Sequence, residues 1–389
     1  MRRMPYPDRF DFDTPIDRRG TASMKWEKYG DRDVIPMWVA DMDFATAPCV
    51  VEELRRRVDH RIFGYTQPPA ELAPTVVASL QREYGWRVDP NWILWLPGLV
   101  VGLNVVCRAF ADEDDEALTA VPIYPPFLSA PENGGRRAVR VPLQEEKGRW
   151  TWDMEALERA VSPRTRLLLV CSPHNPTGRV WTRNELNALS EFCVRHDLVL
   201  VSDEIHCGLV LDKDRPHVPA ATLAPDIGER TVTLMSASKT FNMPGLGCAF
   251  AIASSARLRE KMKRVMAGIV HHVGALGYFA TLAAFRDGAQ WRTALVDYLR
   301  GNRDLVMREI RKMRGLRTWH AEATYLAWID ARALPVENAA KFFEDTGVGL
   351  YDGLLFGGPG FLRLNFACPR SLLEQALERM RRAVENLSK

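Results

Sequence analysis

The chain of 389 residues is longer than one ordinary hydrophobic core requires, which predicts two domains. Its hydrophobic content of 47% and charged content of 26% are typical of a soluble globular protein. The net charge is only +3, which argues against nucleic acid or an anionic membrane as a partner. The seven cysteines are an odd number without a Cys-x-x-Cys pair, so we expect reduced thiols and a cytoplasmic protein.

Signals for membrane insertion, secretion and metal binding are missing from the sequence. The longest apolar run, 93–103, is interrupted by Pro97 and Gly98 and is too short to span a bilayer. The first residues carry Arg with no apolar stretch behind them, so we expect no secretory signal. The histidines lack ligand spacing, and the adjacent His271 and His272 point different ways on a helix, so we expect no metal site.

In chain order, residues 1–44 come first and are rich in Pro, Asp and Arg, which predicts an extended arm that packs on a small C-terminal domain. Residues 45–286 alternate β-branched runs with segments of helical period, such as 183–196. The predicted strands in this part are 116–122, 166–172, 197–203, 231–236 and 248–254. Near-continuous apolar strands predict a large α/β domain with a mostly parallel sheet that helices cover on both faces.

The pattern changes after residue 286, and 287–389 predict a smaller α+β domain. It begins with a long amphipathic helix at 290–313. The elements that follow are a strand at 325–330, a helix at 336–346, a strand at 361–366 and a helix at 371–387.

Three polar residues follow three successive predicted strands. Asn175 lies in the loop after the second strand, Asp203 ends the third, and Lys239 comes shortly after the fourth. Ligands of open α/β sheets bind outside the carboxyl ends of the strands. Each residue alone is more readily a turn former, a helix cap or a solvated surface group. Together, and in this order, they predict a ligand site with an amide, a carboxylate and a lysine.

The motifs around these residues resemble those of the fold-type I enzymes that use pyridoxal 5′-phosphate (PLP), the aminotransferase class I/II superfamily. NPTG at 175–178 and the lysine motif carry this resemblance, which covers essentially the whole chain. It implies a large domain with a sheet of the seven-stranded type and a smaller C-terminal domain. Further motifs resemble the MalY/PatB type of cystathionine β-lyase, also called cysteine-S-conjugate β-lyase, and they are WVADMDF (38–44), FGYTQP (63–68), YPPF (124–127), SDEIH (202–206) and FLRLNFACPR (361–370).

The resemblance implies a role for each of five residues. Lys239 would hold PLP as a Schiff base and act as general base once released. Asp203 would keep the pyridine nitrogen protonated, and Tyr124 would lie on the face of the ring. Asn175 would donate to the phenolic oxygen of the cofactor and lie beside the substrate. Arg363 would bind the substrate α-carboxylate through two parallel hydrogen bonds.

The same resemblance implies how the cofactor phosphate is held. Backbone N–H groups of Leu99 and Val100 would bind it at a helix N-terminus. Ser236 and Ser238 would add hydroxyl donors. Tyr65 would reach the phosphate from the neighbouring subunit, so we expect a two-fold homodimer with its active site at the subunit interface.

Other positions are less defined or depart from the superfamily. Trp38 and Asp41 either shape the substrate entrance or only anchor the arm, and both alternatives stay open. His206 stands where typical aminotransferases have a cofactor-binding Tyr, and Gly247 stands where they often have a phosphate-binding Arg. The lyase subgroup shows comparable changes, so both replacements favour a lyase.

We therefore expect β-elimination from L-cystathionine or another L-cysteine S-conjugate, which yields a thiol, pyruvate and ammonia. An aminotransferase on the same fold is the first alternative. A regulatory protein that binds a transcription regulator is a second, and a biosynthetic lyase for a bulky S-conjugate is a third. The sequence does not reveal the size of the substrate.

Overall fold

The computed structural model describes residues 10–387, and a mixed sheet of eight strands lies at its centre. The strands of the described chain are β1 (Ile35–Pro36), β2 (Ile93–Leu96), β3 (Glu116–Val121), β4 (Arg137–Glu146), β5 (Arg149–Trp152), β6 (Thr165–Cys171), β7 (Val199–Asp203), β8 (Thr231–Met235), β9 (Ala249–Ile252), β10 (Arg317–Thr318), β11 (Leu326–Asp330), β12 (Val348–Gly349), β13 (Tyr351–Asp352) and β14 (Phe361–Asn365). The order in the large sheet is β2-β9-β8-β7-β6-β3-β4-β5.

The middle of this sheet is parallel, as the sequence predicts. The pairs β8–β7, β7–β6, β6–β3 and β3–β4 are parallel, whereas β9 runs antiparallel to both β8 and β2. The sheet has eight strands and the predicted type has seven, because β5 pairs antiparallel with β4 at the edge. Lys147 and Gly148 join these two strands, and both have positive φ, which suits a tight hairpin turn.

Helices cover both faces of the large sheet, which confirms the predicted α/β class. The helices are α1 (Met24–Glu27), α2 (Pro48–Asp59), α3 (Leu72–Tyr84), α4 (Leu99–Phe110), α5 (Pro126–Glu132), α6 (Met154–Ala160), α7 (Arg183–Arg195), α8 (Pro225–Glu229), α9 (Ala256–Met266), α10 (Ala275–Asp287), α11 (Ala289–Ile310), α12 (Ala339–Asp345) and α13 (Arg370–Asn386). Successive residues of β6 face opposite sides, so Leu167 packs in the cluster of α4 and Leu168 in the cluster of α7. This double burial explains why the strands read as continuous apolar runs.

The C-terminal part forms a second, antiparallel sheet with the order β10-β11-β14-β13. Apolar side chains of α11 and α13, including Leu299, Val306 and Leu377, share one buried cluster with Leu364 of β14. The division of the chain at residues 44 and 286 stays a prediction.

The N-terminal segment crosses to this smaller sheet with little regular structure of its own. β1 pairs in parallel with β12, and the backbone N–H of Met37 donates to Gly349 O. The N–H of Asn365 donates to Met37 O, and that of Asp43 donates to Ala367 O. The segment therefore lies between the two sheets.

Among the helices of residues 10–387, none has both the length and the apolar character needed to cross a membrane.

Candidate active site

A cavity of about 390 Å³ opens at the carboxyl ends of β6, β7 and β8. Three parts of the chain enclose it: the strand ends, the N-terminal segment around Trp38, and the smaller sheet at Tyr351 and Arg363. The predicted site residues that line it are Trp38, Leu99, Val100, Tyr124, Asn175, Asp203, His206, Ser236, Ser238, Lys239 and Arg363. Side chains from distant parts of the sequence therefore share one pocket, which is how ligand sites of this size are usually built.

Lys239 follows β8 and lines this cavity. The Nζ atom donates a hydrogen bond of 2.7 Å to the backbone oxygen of Ala40. Burial and the positive charge of Arg363 lower the pKa of Lys239 to about 8. A substantial fraction of the amine is therefore neutral near physiological pH, as a nucleophile or base requires.

Asp203 is the last residue of β7 and is buried, with 2% of its surface exposed. Its Oδ1 accepts a hydrogen bond of 3.0 Å from the N–H of Ile205. Within residues 10–387, no Lys, Arg or His forms an ion pair with this carboxylate. Burial raises the pKa of Asp203 to about 7, and the nearby Glu204 adds to the effect. The buried carboxylate is therefore suited to accept a hydrogen bond from a cationic N–H group of a ligand in the cavity.

Arg363 of β14 is fully buried and points toward Asn175. Its Nη1 donates to Asn175 Oδ1 over 3.1 Å, and its Nη2 donates to Trp38 O over 2.8 Å. Burial lowers the pKa of Arg363 to about 10, so the guanidinium stays charged at neutral pH. No Asp or Glu of the described chain neutralises it, which leaves an anion-binding position beside Lys239.

Tyr124 and His206 border the cavity on other sides. The N–H of Tyr124 donates to Asn175 O over 3.1 Å, which fixes the loop that carries the phenol ring. His206 is buried, and its Nδ1 has no hydrogen-bond partner in the described chain. Burial, together with the charges of Lys239 and Arg363, lowers the pKa of His206 to about 3, so the imidazole is neutral.

The first turn of α4 borders the cavity at Gly98, Leu99 and Val100, and no side chain caps this helix. Its free N–H groups therefore form a site for an anion. Ser238 lines the same region, whereas the hydroxyl of Ser236 donates to Cys248 O over 2.6 Å. That bond occupies the proton with which Ser236 was expected to bind phosphate.

Gly247 has a left-handed φ of +55°, and a Cβ added there would lie 3.0 Å from Pro97 O. A larger residue would therefore strain the backbone at this position. This geometry gives a physical reason for the absence of the Arg that the wider superfamily often carries there.

Two predicted site residues lie outside the cavity lining in this chain. Tyr65 is fully exposed and borders a separate surface groove with Leu246 and His271. The Asp41 carboxylate lies outside the cavity lining and pairs with Arg18 over 2.7 Å, which favours the anchoring alternative. The indole of Trp38 does line the cavity, which favours a place at the entrance.

Several residues around the cavity were not predicted. Ala40 accepts from Lys239, and Tyr325 donates to the same oxygen over 3.0 Å. Asn365 donates to the carbonyls of Val39 and Asp41, each over 2.6 Å. The motif WVADMDF was a signal for these contacts, but a backbone acceptor leaves no trace in residue identity.

This set of groups fits PLP. Asp203 offers an unpaired buried acceptor for a protonated pyridine nitrogen, and Lys239 offers an amine of lowered pKa for the aldehyde carbon. The uncapped start of α4 offers N–H donors for the phosphate. Tyr124 adds an aromatic ring at the cavity wall.

Comparison with known proteins agrees with this fit. The sequence profile of the family "Aminotransferase class I and II" matches residues 32–380. Cystathionine beta-lyase PatB of Bacillus subtilis (strain 168) is 35% identical, and the alignment covers 96% of this chain and 99% of PatB.

Two solved structures are similar over nearly the whole chain. The crystal structure of OvoB is 44% identical with a TM-score of 0.95, and the match covers 96% of this chain and 99% of OvoB. The PLP-bound C-S lyase from Staphylococcus hominis is 33% identical with a TM-score of 0.90, and the match covers 97% and 98% of the two chains. The resemblance read from the motifs is confirmed, and the chain belongs to the aminotransferase class I and II family of PLP-dependent fold-type I enzymes.

Proposed function

We propose that this protein is a PLP-dependent carbon–sulfur β-lyase. It cleaves the Cβ–S bond of L-cystathionine or another L-cysteine S-conjugate and, with water, yields a thiol, pyruvate and ammonia. The observation that carries the proposal is the meeting of Lys239, Asp203 and Arg363 in one cavity. The full-length similarity to PatB and to the C-S lyase directs this chemistry toward sulfur substrates.

The cofactor is pyridoxal 5′-phosphate, which when bound supplies the electron sink that stabilises negative charge at the substrate Cα. Asp203 would hold the proton on its pyridine nitrogen, and the start of α4 with Ser238 would hold its phosphate. Lys239 would anchor it and, when free, would remove the proton from Cα as a general base.

The remaining residues orient the substrate. Arg363 binds the α-carboxylate, because its buried charge has no protein counterion in the described chain. Asn175 Oδ1 accepts from Arg363, and its amide N–H₂ group would donate to the cofactor and substrate.

The activity test is a product assay on purified enzyme with PLP, cystathionine and a panel of S-alkyl cysteines. We expect thiol and pyruvate in equal amounts without any added 2-oxo acid. Turnover that depends on a 2-oxo acid and leaves no thiol would instead identify an aminotransferase. Absence of both products across the panel would refute the proposed lyase function.

We also propose a homodimer whose sites are shared between subunits. Tyr65 lies on the surface close to Ile62 and Phe63 in the chain, all three are well exposed, and such an apolar patch suits a subunit interface. A second copy would cover the patch and bring Tyr65 to its partner's phosphate site.

Sedimentation should show a dimer, and mixing Tyr65→Ala with Lys239→Ala subunits should restore activity through hybrid dimers. A fully active monomer would contradict this.

We place the enzyme in the cytoplasm. All seven cysteines are free in the structure, and six of them are buried, which suits a reducing compartment. Cell fractionation with an antibody against the protein would test this placement.

A further inference from the structure

The buried charge of Arg363 has hydrogen-bond partners on only part of its surface. Nη1 and Nη2 each donate to one oxygen, while Nε is buried and has no acceptor in the described chain. A guanidinium without a counterion is costly to bury, and a receptor for a carboxylate must be oriented in advance. Other contacts must therefore hold it.

Two aromatic rings form a corner around this guanidinium. Its Cζ lies 4.9 Å from the ring centroid of Tyr351 and 4.8 Å from that of Phe356. The two rings meet nearly edge to face, with an interplanar angle of 82°. Both rings offer electron-rich surface to the cation, and such contacts strengthen when water is excluded.

The stack continues outward to the N-terminal segment. The indole of Trp38 lies on Tyr351 with ring centroids 5.5 Å apart and an interplanar angle of 26°. Lys28 Nζ lies 4.6 Å from the Trp38 ring centroid on the solvent side. Cation, indole, phenol and cation thus follow one another, and we call Lys28, Trp38, Tyr351 and Arg363 the stacked column.

Backbone geometry fixes the column at both ends. Tyr351 and Arg363 are directly opposed partners in the β13–β14 pair. The indole N–H of Trp38 donates to Lys25 O over 3.1 Å, and its backbone oxygen accepts from Arg363. The rings therefore cannot slide without disturbing the guanidinium.

We propose that Tyr351 and Trp38 are positioning residues that keep Arg363 charged and oriented for the substrate carboxylate, an inference that rests on the proposed function of Arg363. The rings act through Arg363, and their effect decreases with distance along the stacked column. Substrate binding is then set partly by aromatic residues that need not touch the carboxylate.

The test uses PLP-loaded enzyme and L-alanine, which has the α-amino and α-carboxylate groups but no leaving group on Cβ. Binding is followed by the change in cofactor absorbance. Tyr351→Leu should weaken L-alanine binding about tenfold, because the cation–ring contact is lost. Tyr351→Phe keeps the ring and should restore affinity to within about twofold of wild type.

A double-mutant cycle separates positioning from general damage. In an Arg363→Ala background, Tyr351→Leu should have less than about a twofold further effect. With a cysteine S-conjugate, Tyr351→Leu should raise KM about tenfold and change kcat by less than about threefold. Equal losses in both backgrounds, or no loss from Tyr351→Leu, would overturn the inference.

The failure of the inference differs from the failure of the proposed function. If Arg363→Ala binds L-alanine like wild type, the carboxylate role of Arg363 is wrong and the inference is wrong with it. If Arg363→Ala weakens binding and Tyr351→Leu does not, only the inference is wrong. Should Tyr351→Leu fail to retain PLP, Trp38→Leu against Trp38→Phe gives the same comparison with an expected effect of about threefold.

Discussion

Two regions of the molecule meet at Lys239 and are held by different forces. The strand-end set, Asn175, Asp203 and Lys239, follows strands whose side chains are apolar and buried on both faces. The segment 38–44 that covers it has almost no regular structure. Ion pairs and side chain-to-backbone hydrogen bonds hold that segment instead.

Asp43 is the centre of a group of side chains that we call the polar clamp, and its other members are Arg18, Lys25 and Trp26. It accepts from Lys25 over 2.6 Å, from Arg18 over 2.8 Å and from the indole N–H of Trp26 over 2.9 Å. Lys25 is itself completely buried. Burial alone would raise the pKa of Asp43, but its attraction to Lys25 and Arg18 lowers it below the ordinary value.

The two carboxylates therefore couple folding to pH in opposite directions. The lowered pKa of Asp43 contributes stability above its unfolded-state value, and this contribution is lost as the pH falls through the folded-state value. The raised pKa of Asp203 makes folding less favourable as the pH rises from its unfolded-state value toward about 7. Lys25 and Arg18 balance the charge of Asp43, whereas Asp203 forms no ion pair in the described chain and its charge is available to a ligand.

The largest effect should follow from Lys239→Ala in the strand-end set. We expect a loss of about 10³-fold or more in kcat, because a base of this kind contributes about 10²–10⁴-fold and the covalent anchor is also removed. Borohydride reduction and peptide mapping should find PLP on Lys239 in the wild type. The exposed Lys213→Ala is the matched control, and equal losses in both variants would contradict the assignment.

Next in size is the loss of the buried ion pair in the clamp. Lys25→Met should lower the free energy of unfolding by about 3–5 kcal/mol, because Asp43 loses its nearest countercharge. Lys341→Met breaks an exposed pair with Asp345 and should cost less than about 1 kcal/mol. Urea unfolding of both variants measures the difference. Similar small losses would show that the clamp is not a stabilising element.

Asp203→Asn should act in the opposite direction on cofactor-free protein. Above pH 7 the variant should be more stable than wild type by about 1–3 kcal/mol, because an uncompensated buried charge is removed. Near pH 4 the two should converge, since the unfolded wild type then keeps its proton too. Thermal unfolding at both pH values tests this, and a variant less stable at pH 8 would refute it. The same variant should lose most of its activity when PLP is bound.

The smallest effect concerns the hydrogen bonds that join the segment to the smaller sheet. Asn365→Ala removes two donors from the carbonyls of Val39 and Asp41, and kcat/KM should fall about fivefold to twentyfold. The exposed Asn386→Ala serves as control. Unchanged kcat/KM in Asn365→Ala would show that the position of the segment does not limit catalysis.

The strand-end set was predictable because the pattern of apolar residues along the chain locates the strands that these residues follow. A continuous apolar run predicts a buried parallel strand, and residues after such strands gather at one edge. The predicted strand 197–203 ends at Asp203, as β7 does, and the helix predicted at 290–313 is observed as Ala289–Ile310. Boundaries differ by a few residues at most elements.

The polar clamp was not predictable, because the spacing of apolar residues does not mark its members. Arg18 and Lys25 lie in a stretch without hydrophobic period, and charged residues there are normally solvated. Lys25 is buried only because Asp43 lies opposite it, and Trp26 and Arg18 complete the same pair. Such pairing depends on the fold as a whole, so the motif WVADMDF indicated importance without indicating contacts.

The backbone oxygen of Ala40 receives Lys239 from 199 positions away and Tyr325 from 285 positions away. A chain emerging from the ribosome can pair β6, β7 and β8 long before residue 325 is available. The lysine is therefore correctly set only after contacts between residues far apart in the sequence have formed, which are usually slow steps. Catalytic competence should appear last on refolding, so that no shorter folding intermediate carries a working site.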